Sequence, residues 1–337
     1  MNIVTVVIRA RDCASDLERC LKGLEQQNLP EATALEVVVV DNDSTDNTTG
    51  VARAHGARIV NIPRAMFSWG RALNYGIQEG SGQNVILLSS DACPVDGDFI
   101  ANMLLPFEDR RVACVYGRQI PHPDATIEEI LRLGSHFDGT PRVFDSSTRS
   151  DPTGNGLIVS NACAAIRRSI WEELKYNEYI EGGEEGIWTH LAIQRGYRSI
   201  YQPTAQVYHS HKDAVLRRAC RSVELFLKNR RLKDLPISLY ALVRWLLHLT
   251  KSRIKDCFAP GLQISTRLKG LFTLPLELAG NAVVYYLLKY WPQGRIRSFL
   301  WDTKLSFRTA GGTALLPDWL TVPKEANGTH SVLGEGE

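Results

Sequence analysis

A chain of 337 residues that is 44% hydrophobic and 23% charged carries enough apolar material for one large core or two smaller ones, which marks it as globular rather than disordered. Its 39 basic and 37 acidic residues leave a formal charge of +2, a balance that excludes nucleic acid as the main partner. The 7 cysteines, odd in number, without a CxxC pair and scattered from Cys13 to Cys257, fit neither a disulfide framework nor a zinc site and suit a reducing cytosol.

The opening "MNIVTVVIRARD" has no basic segment ahead of its apolar run and no cleavage site, so it reads as a first strand (3 to 8) rather than a leader. The sequon NGT at Asn327 is then incidental. "SDLERCLKGLEQQ" places Leu17, Cys20, Leu21 and Leu24 at helical spacing behind a cap at Ser15 or Asp16. The unit repeats: strand 35 to 41, helix "TDNTTGVARAHG", strand 57 to 62, helix "GRALNYGIQEG", strand 84 to 90, helix "DFIANMLLPFED" and strand 111 to 117. Strands that are apolar on both faces and alternate with helices predict an α/β fold, a mostly parallel sheet flanked by helices. Ligands of such sheets bind at the carboxyl ends of strands. Asp12, Asp41 and Asp91 lie at or just beyond those ends. Three converging carboxylates repel one another unless a cation or a polar ligand lies among them. No GxGxxG follows the first strand and no GxxxxGK[ST] occurs, which weakens the dinucleotide-dehydrogenase and P-loop readings.

Residues 121 to 155 read as a long connection containing the helical "DATIEEILRLG", a candidate lid. The next stretch predicts a strand, a short helix, a loop, a helix over 184 to 195, a strand over 198 to 201 and a last strand ending at His209 and His211. Beyond it, "DAVLRRACRSVELFLKNRR" is a basic amphipathic helix, and 237 to 291 are apolar, aromatic and interspersed with Arg and Lys. Leu271 to Leu288 carries Glu277 as its one charge and is about long enough to cross a bilayer, but Pro275, Gly280 and Asn281 interrupt it, which favours helices packed on the protein or lying in a membrane interface. The division is a catalytic-type domain over 1–225, an apolar and basic helical region over 226–308, and a Gly, Pro and Thr-rich tail over 309–337.

Each polar motif has a plain structural account. Asp91 in "LLSSDACP" caps a turn, "DNDSTDNT" is a polar turn leading into a helix, and Glu184 with Glu185 suit the positive end of a helix. Their order supplies another. "VVIRARD", "VVVVDNDSTDNT", "FSWGRALNYGIQEGSGQNVILLSSDACP", "SNACAAIRRSIWEEL", "GGEEGIW" and "YHSH" together resemble the family 2 glycosyltransferases of the GT-A (Rossmann-like) fold, in the bacterial branch that includes rhamnosyltransferases, over about residues 3 to 225.

The resemblance implies roles. Asp41 accepts a hydrogen bond from the pyrimidine of a nucleotide diphosphate sugar donor, an imide N–H being a natural partner for a carboxylate. Asn42, Asp12 and Ser90 complete the donor-binding set, with Asp43 as an assistant. Arg71 in "GRALN" directs its guanidinium at diphosphate or ribose oxygens. Asp91 falls where the DxD signature of the family ends and holds Mg2+ or Mn2+ with His209, although Ser89 replaces the first aspartate. Glu185, with Glu184 beside it, is the general base that deprotonates the acceptor, a glutamate where the family usually has aspartate. Trp188, on the same helix as Glu184, has two readings apart from the resemblance, a sugar platform and, favoured over it, a place in the core. The implied reaction is inverting transfer of L-rhamnose or another hexose to a hydroxyl of a glycan, lipid-linked at the cytoplasmic membrane face. Two alternatives stand beside it: a nucleotidyltransferase that makes nucleotide sugars, and a non-catalytic membrane-associated subunit.

Overall fold

In the computed structural model of the chain, the described residues are 2–123, 125, 127–148, 156–180, 182–210, 223, 239–258 and 268, with most of 271–283. The alternation read from the sequence appears as β1 (Asn2–Ala10), α1 (Ala14–Glu25), β2 (Thr33–Asp41), α2 (Thr48–Ala54), β3 (Arg58–Asn61), α3 (Trp69–Glu79) and β4 (Asn84–Ser89). It continues through β5 (Cys93–Pro94), α4 (Phe99–Leu104), β6 (Val112–Ile120), α5 (Ile127–His136), β7 (Arg142–Phe144), β8 (Cys163–Arg167), α6 (Arg168–Glu173), α7 (Glu184–Gln194), β9 (Arg198–Tyr208) and α8 (Leu239–Cys257). This is a mixed α/β fold of GT-A type, with one sheet between helices.

The sheet runs β3-β2-β1-β4-β8-β6-β9-β5, with β7 on β9. From β3 to β4 every pairing is parallel. Beyond β4 the parallel prediction gives way: β8 pairs antiparallel with β4 and β6, and β5 and β7 pair antiparallel with β9, so β6 with β9 is the one parallel pair in that half. The reason is connectivity. β8 arrives from a long excursion through α5 and β7, so no crossover helix obliges it to run parallel. The two short strands predicted over 198 to 211 are a single strand, β9, and a register shift between Gly117 and Arg118 lets its residues 203–205 bulge against β6. His209 follows its end, and His211 lies outside the described residues.

Both sheet faces are filled. Val4, Val6 and Ile8 of β1 pack with Leu17, Cys20, Leu21 and Leu24 of α1, the four positions picked out by helical spacing. Val7 of the same strand packs against Leu73 and Ile77 of α3, and the core there extends to Trp171, Tyr176 and Trp188. Helix α1 starts one step earlier than its expected cap. Cys13 is the N-cap and makes no side-chain cap bond; instead the Asp46 carboxylate accepts from Ala14 N at 3.1 Å and Thr48 Oγ1 from Cys13 N at 2.9 Å. Ser15 and Asp16 stand in the first turn, their capping role taken by the loop after β2.

Among the described residues no helix is long and apolar enough to cross a membrane. The tail and the end of the 271–288 run lie outside the described residues.

Gly70, in the first turn of α3, lets the helix touch the loop before α7: a Cβ there stands 2.1 Å from the Asn177 carbonyl oxygen. Gly70→Ala is therefore expected to destabilise the fold by about 1–3 kcal/mol, outweighing a helix-propensity gain of about 1 kcal/mol. Urea unfolding with an unchanged m-value checks it.

Candidate active site

The parallel half of the sheet brings three strand exits together. In register Ala10 lies opposite Asp41, and Arg9 opposite Ser89. Asn42 N donates to Ala10 O at 3.0 Å, and Ile62 N to Asp41 O at 2.8 Å, so the edge continues past the last paired residues. Asp41 is 3% exposed. Its Oδ2 accepts from Ser44 N at 3.1 Å, while Oδ1 is buried and has no hydrogen-bond partner. An ionised carboxylate oxygen shut away from water without a donor is costly, and a donor brought by a ligand removes that cost.

The "DNDSTDNT" turn is fastened to the end of β1. Asp12, with φ of 44°, receives Thr45 N at 2.6 Å and Thr45 Oγ1 at 3.0 Å on Oδ1, while its own N donates to Ser44 Oγ at 3.0 Å. Burial pushes the Asp12 carboxyl upward, but the Thr45 backbone and hydroxyl donors prevail and hold it below the usual aspartate value. Asp43, also left-handed with φ of 50°, accepts from Arg64 N at 2.8 Å. The Asn42 amide donates to Ile62 O at 3.0 Å. Asn42 and Asp43 thus hold the loop, and Asp12 locks it to β1.

Past β4, Asp91 and His209 meet: His209 Nε2 is 3.4 Å from Asp91 Oδ1. His209 is 6% exposed, and its Nδ1 donates to Gln119 Oε1 at 2.8 Å. Because an amide oxygen only accepts, that bond puts a proton on Nδ1 and leaves Nε2 as the ring nitrogen that faces the carboxylate. An imidazole nitrogen and a carboxylate facing each other are ligand types that suit a hard or borderline cation. Among the described residues no three His, Cys, Asp or Glu side chains gather to hold a metal, so at this place the protein offers a cation two side chains, Asp91 and His209. Ser90 lies beside this pair and near the Cys13 thiol.

Helix α7 is joined to β1 through its first residue. Glu184, 4% exposed, accepts from Arg9 Nη1 at 3.2 Å and Asn161 Nδ2 at 3.4 Å. The Arg9 guanidinium also lies 4.7 Å from the Trp69 ring centroid. Glu185, next in the first turn, is half-buried, and its charge adds to the burial that raises the Tyr116 and Tyr176 hydroxyls. Trp188 is 1% exposed and donates to Leu174 O at 2.6 Å, a core residue as expected. Arg71, in the first turn of α3, donates from Nε to Glu178 Oε2 at 2.8 Å and from Nη1 to Met66 O at 2.6 Å. Asn74 binds the same carboxylate at 2.9 Å, so Arg71 ties α3 to the loop before α7.

Sequence reasoning gave no role to Arg9, Asn161, Gln119 or Glu178. Arg9 left a trace, a charge inside an apolar strand in "VVIRARD", and Asn161 stands in the motif "SNACAAIRRSIWEEL"; Gln119 and Glu178 sit in stretches whose pattern carries no chemical signature.

Residues 5–175 match the family described as glycosyl transferase family 2. The chain is 29% identical over 212 residues to the O-antigen chain rhamnosyltransferase RfbN of Salmonella typhimurium, with 62% of this chain aligned to 66% of that protein. It is 30% identical over 190 residues to the O-antigen chain rhamnosyltransferase WbaN of Salmonella anatum, aligning 56% of this chain to 59% of that one. The chain thus spans less than two thirds of the length of these relatives. In fold it is similar to S. aureus TarS 1–349 in complex with UDP-GlcNAc, at 13% identity and a TM-score of 0.51, over 86% of this chain and 92% of the other. The mannosyltransferase PcManGT of Pyrobaculum calidifontis, in complex with GDP-Man and Mn2+, gives a TM-score of 0.50 at 20% identity over 86% and 81%.

The low Asp12 pKa sets a sign for pH dependence. A carboxyl whose folded value lies below its unfolded value, about 4, stabilises the protein above that unfolded value and loses the contribution as pH falls through the folded one. Asp12→Asn keeps the shape and the left-handed backbone but removes the charge. Its unfolding midpoint is expected below that of the parent at neutral pH, with the gap closing as the buffer is taken from about pH 5 to pH 3.

Proposed function

The chain belongs to glycosyl transferase family 2, and on that premise we propose that it moves a hexose, L-rhamnose foremost, from a pyrimidine nucleotide diphosphate donor to a glycan hydroxyl with inversion. What supports this reading is the row of parallel strand ends that carries Asp41 and Ser89 on either side of β1, the Asp91–His209 pair just past β4, and Glu184 at the start of α7 bonded to Arg9 of β1. Membership leaves the nucleotidyltransferase alternative without support.

The reading assigns each group a task. The buried Asp41 Oδ1, lacking a donor, accepts the imide N–H of the base. Asp12 and the 44–46 turn hold Asp41 in place, and Ser90 faces the donor beside Asp91. Arg71 acts on the donor side through the Glu178 clamp that fixes the start of α3. Asp91 and His209 would hold Mg2+ or Mn2+, which when bound supplies positive charge to the leaving diphosphate. Glu185 takes the proton from the acceptor hydroxyl as its oxygen attacks the anomeric carbon opposite the nucleotide. The C–O bond to the acceptor forms as the C–O bond to the diphosphate breaks, so one displacement inverts the centre.

Helix α8 suits an acceptor carried on a lipid at the cytoplasmic face. Tyr240, Val243, Leu247 and Ile254 are exposed along it, at the spacing of one helix face, with exposed Arg244, Lys251 and Lys255 among them and exposed Phe258 just past its end. An apolar stripe edged by cations rests on an anionic bilayer surface without crossing it.

Two measurements test the proposal. Isothermal titration of dTDP and UDP with Mn2+ is expected to show binding that Asp41→Ala weakens about 10- to 100-fold, the worth of one hydrogen bond to a charged group, and that Asp91→Asn makes independent of Mn2+. Absence of nucleotide diphosphate binding by the parent chain favours the non-catalytic alternative. Sedimentation with vesicles is expected to recover the protein on phosphatidylglycerol but not on phosphatidylcholine, with Leu247→Glu reducing recovery.

A further inference from the structure

Helix α7 begins with little local support. Its N-cap, Gly183, has φ of 82° and no side-chain cap bond, and Gly182 before it has φ of 100°. Two successive left-handed glycines give the entry to the helix wide backbone freedom. The first turn therefore takes its position from tertiary contacts, and Glu184 makes them with a buried carboxylate bonded to Arg9 and Asn161.

Arg9 is a fixed anchor. It is the penultimate residue of β1, in register between Val40 and Ser89. Its side chain is 10% exposed and lies against the ring of Trp69, the first residue of α3. Asn161 is anchored too, accepting from Tyr176 OH at 3.4 Å, while Tyr176 stacks on Trp188 of α7 with ring centroids 5.5 Å apart. The network runs from the central strand, through one ion pair, into the first turn of α7, and returns to the same helix one turn later.

A buried ion pair is a poor device for stability alone, because desolvation offsets its attraction and apolar replacements are often as stable. It does impose one geometry. We infer that Arg9 is a positioning residue for Glu185: its bond to Glu184 fixes the first turn of α7 relative to the strand exits and so sets where the neighbouring carboxylate meets the acceptor hydroxyl. This rests on Glu185 as the general base. Glu184, with two donors on Oε1, is the tether rather than the base. The sensitivity is steep, since a displacement of about 1 Å in a reacting group lowers a rate by about 100-fold.

The test uses the full chain, a sugar-transfer assay and equilibrium binding of the donor nucleotide. Arg9→Gln is expected to lower kcat about 10- to 100-fold, with the nucleotide dissociation constant within about threefold of the parent. Because Arg9→Gln leaves a buried carboxylate uncompensated, Arg9→Gln/Glu184→Gln removes both charges; its unfolding midpoint is expected to recover while kcat stays low. Arg9→Lys, which keeps the charge but not the planar fork, is expected to fold and give an intermediate kcat. In a Glu185→Gln background Arg9→Gln is expected to cost nothing further, because its effect passes through Glu185. Recovery of both stability and kcat in the double variant overturns the inference, as does an undiminished Arg9→Gln loss in the Glu185→Gln background or a parallel loss of nucleotide binding. Full turnover by Glu185→Gln overturns the base assignment itself, and the inference with it. Full turnover by Arg9→Gln beside an inactive Glu185→Gln overturns the positioning role alone.

Discussion

The site depends on the parallel register of β1 with its two neighbours. Ala10 opposite Asp41 and Arg9 opposite Ser89 make three strands end at one level, about 4.8 Å apart, so residues remote in the chain emerge side by side. A slip of one residue turns every side chain to the other face of the sheet. The register is held by burial on both sides of β1, where Val6 and Ile8 face one core cluster and Val7 the other.

Several of the carboxylates named above are spoken for by the protein. Asp12 takes the Thr45 donors, Asp46 caps α1, Glu178 takes Arg71 and Asn74, and Glu184 takes Arg9. Such matched pairs explain how several acids gather without forcing one another neutral. Asp41 differs: one oxygen is satisfied by the backbone of Ser44 and the other is buried without a donor. Asp91 pairs with His209, whose other nitrogen binds Gln119. What sets Asp41 apart from the other acids lies in its partners, which motif spacing does not report.

Particular elements show where reading the sequence succeeds. Strands over 3 to 8, 35 to 41 and 84 to 90 appear within two residues at either end as Asn2–Ala10, Thr33–Asp41 and Asn84–Ser89, because unbroken β-branched runs bounded by polar turns have few other uses. The helix at 184 and the core place of Trp188 were legible in the same way. The direction of β8 was not, because strand direction depends on where a long connection re-enters the sheet. Nor was the commitment of Arg71 to Glu178, a partner in a loop 107 residues away in the chain.

The sequence by itself determined the α/β alternation, the exits carrying Asp12, Asp41 and Asp91, and the family, since these follow from local periodicity and from short motifs in a fixed order. The tertiary structure alone decided that β8 runs antiparallel to both its neighbours, that His209 faces Asp91, and that Glu184 is bound to Arg9 across 175 residues of chain. Those facts are set by which buried donors and acceptors meet when the strands close, and pairing between distant groups has no local trace for a sequence to carry.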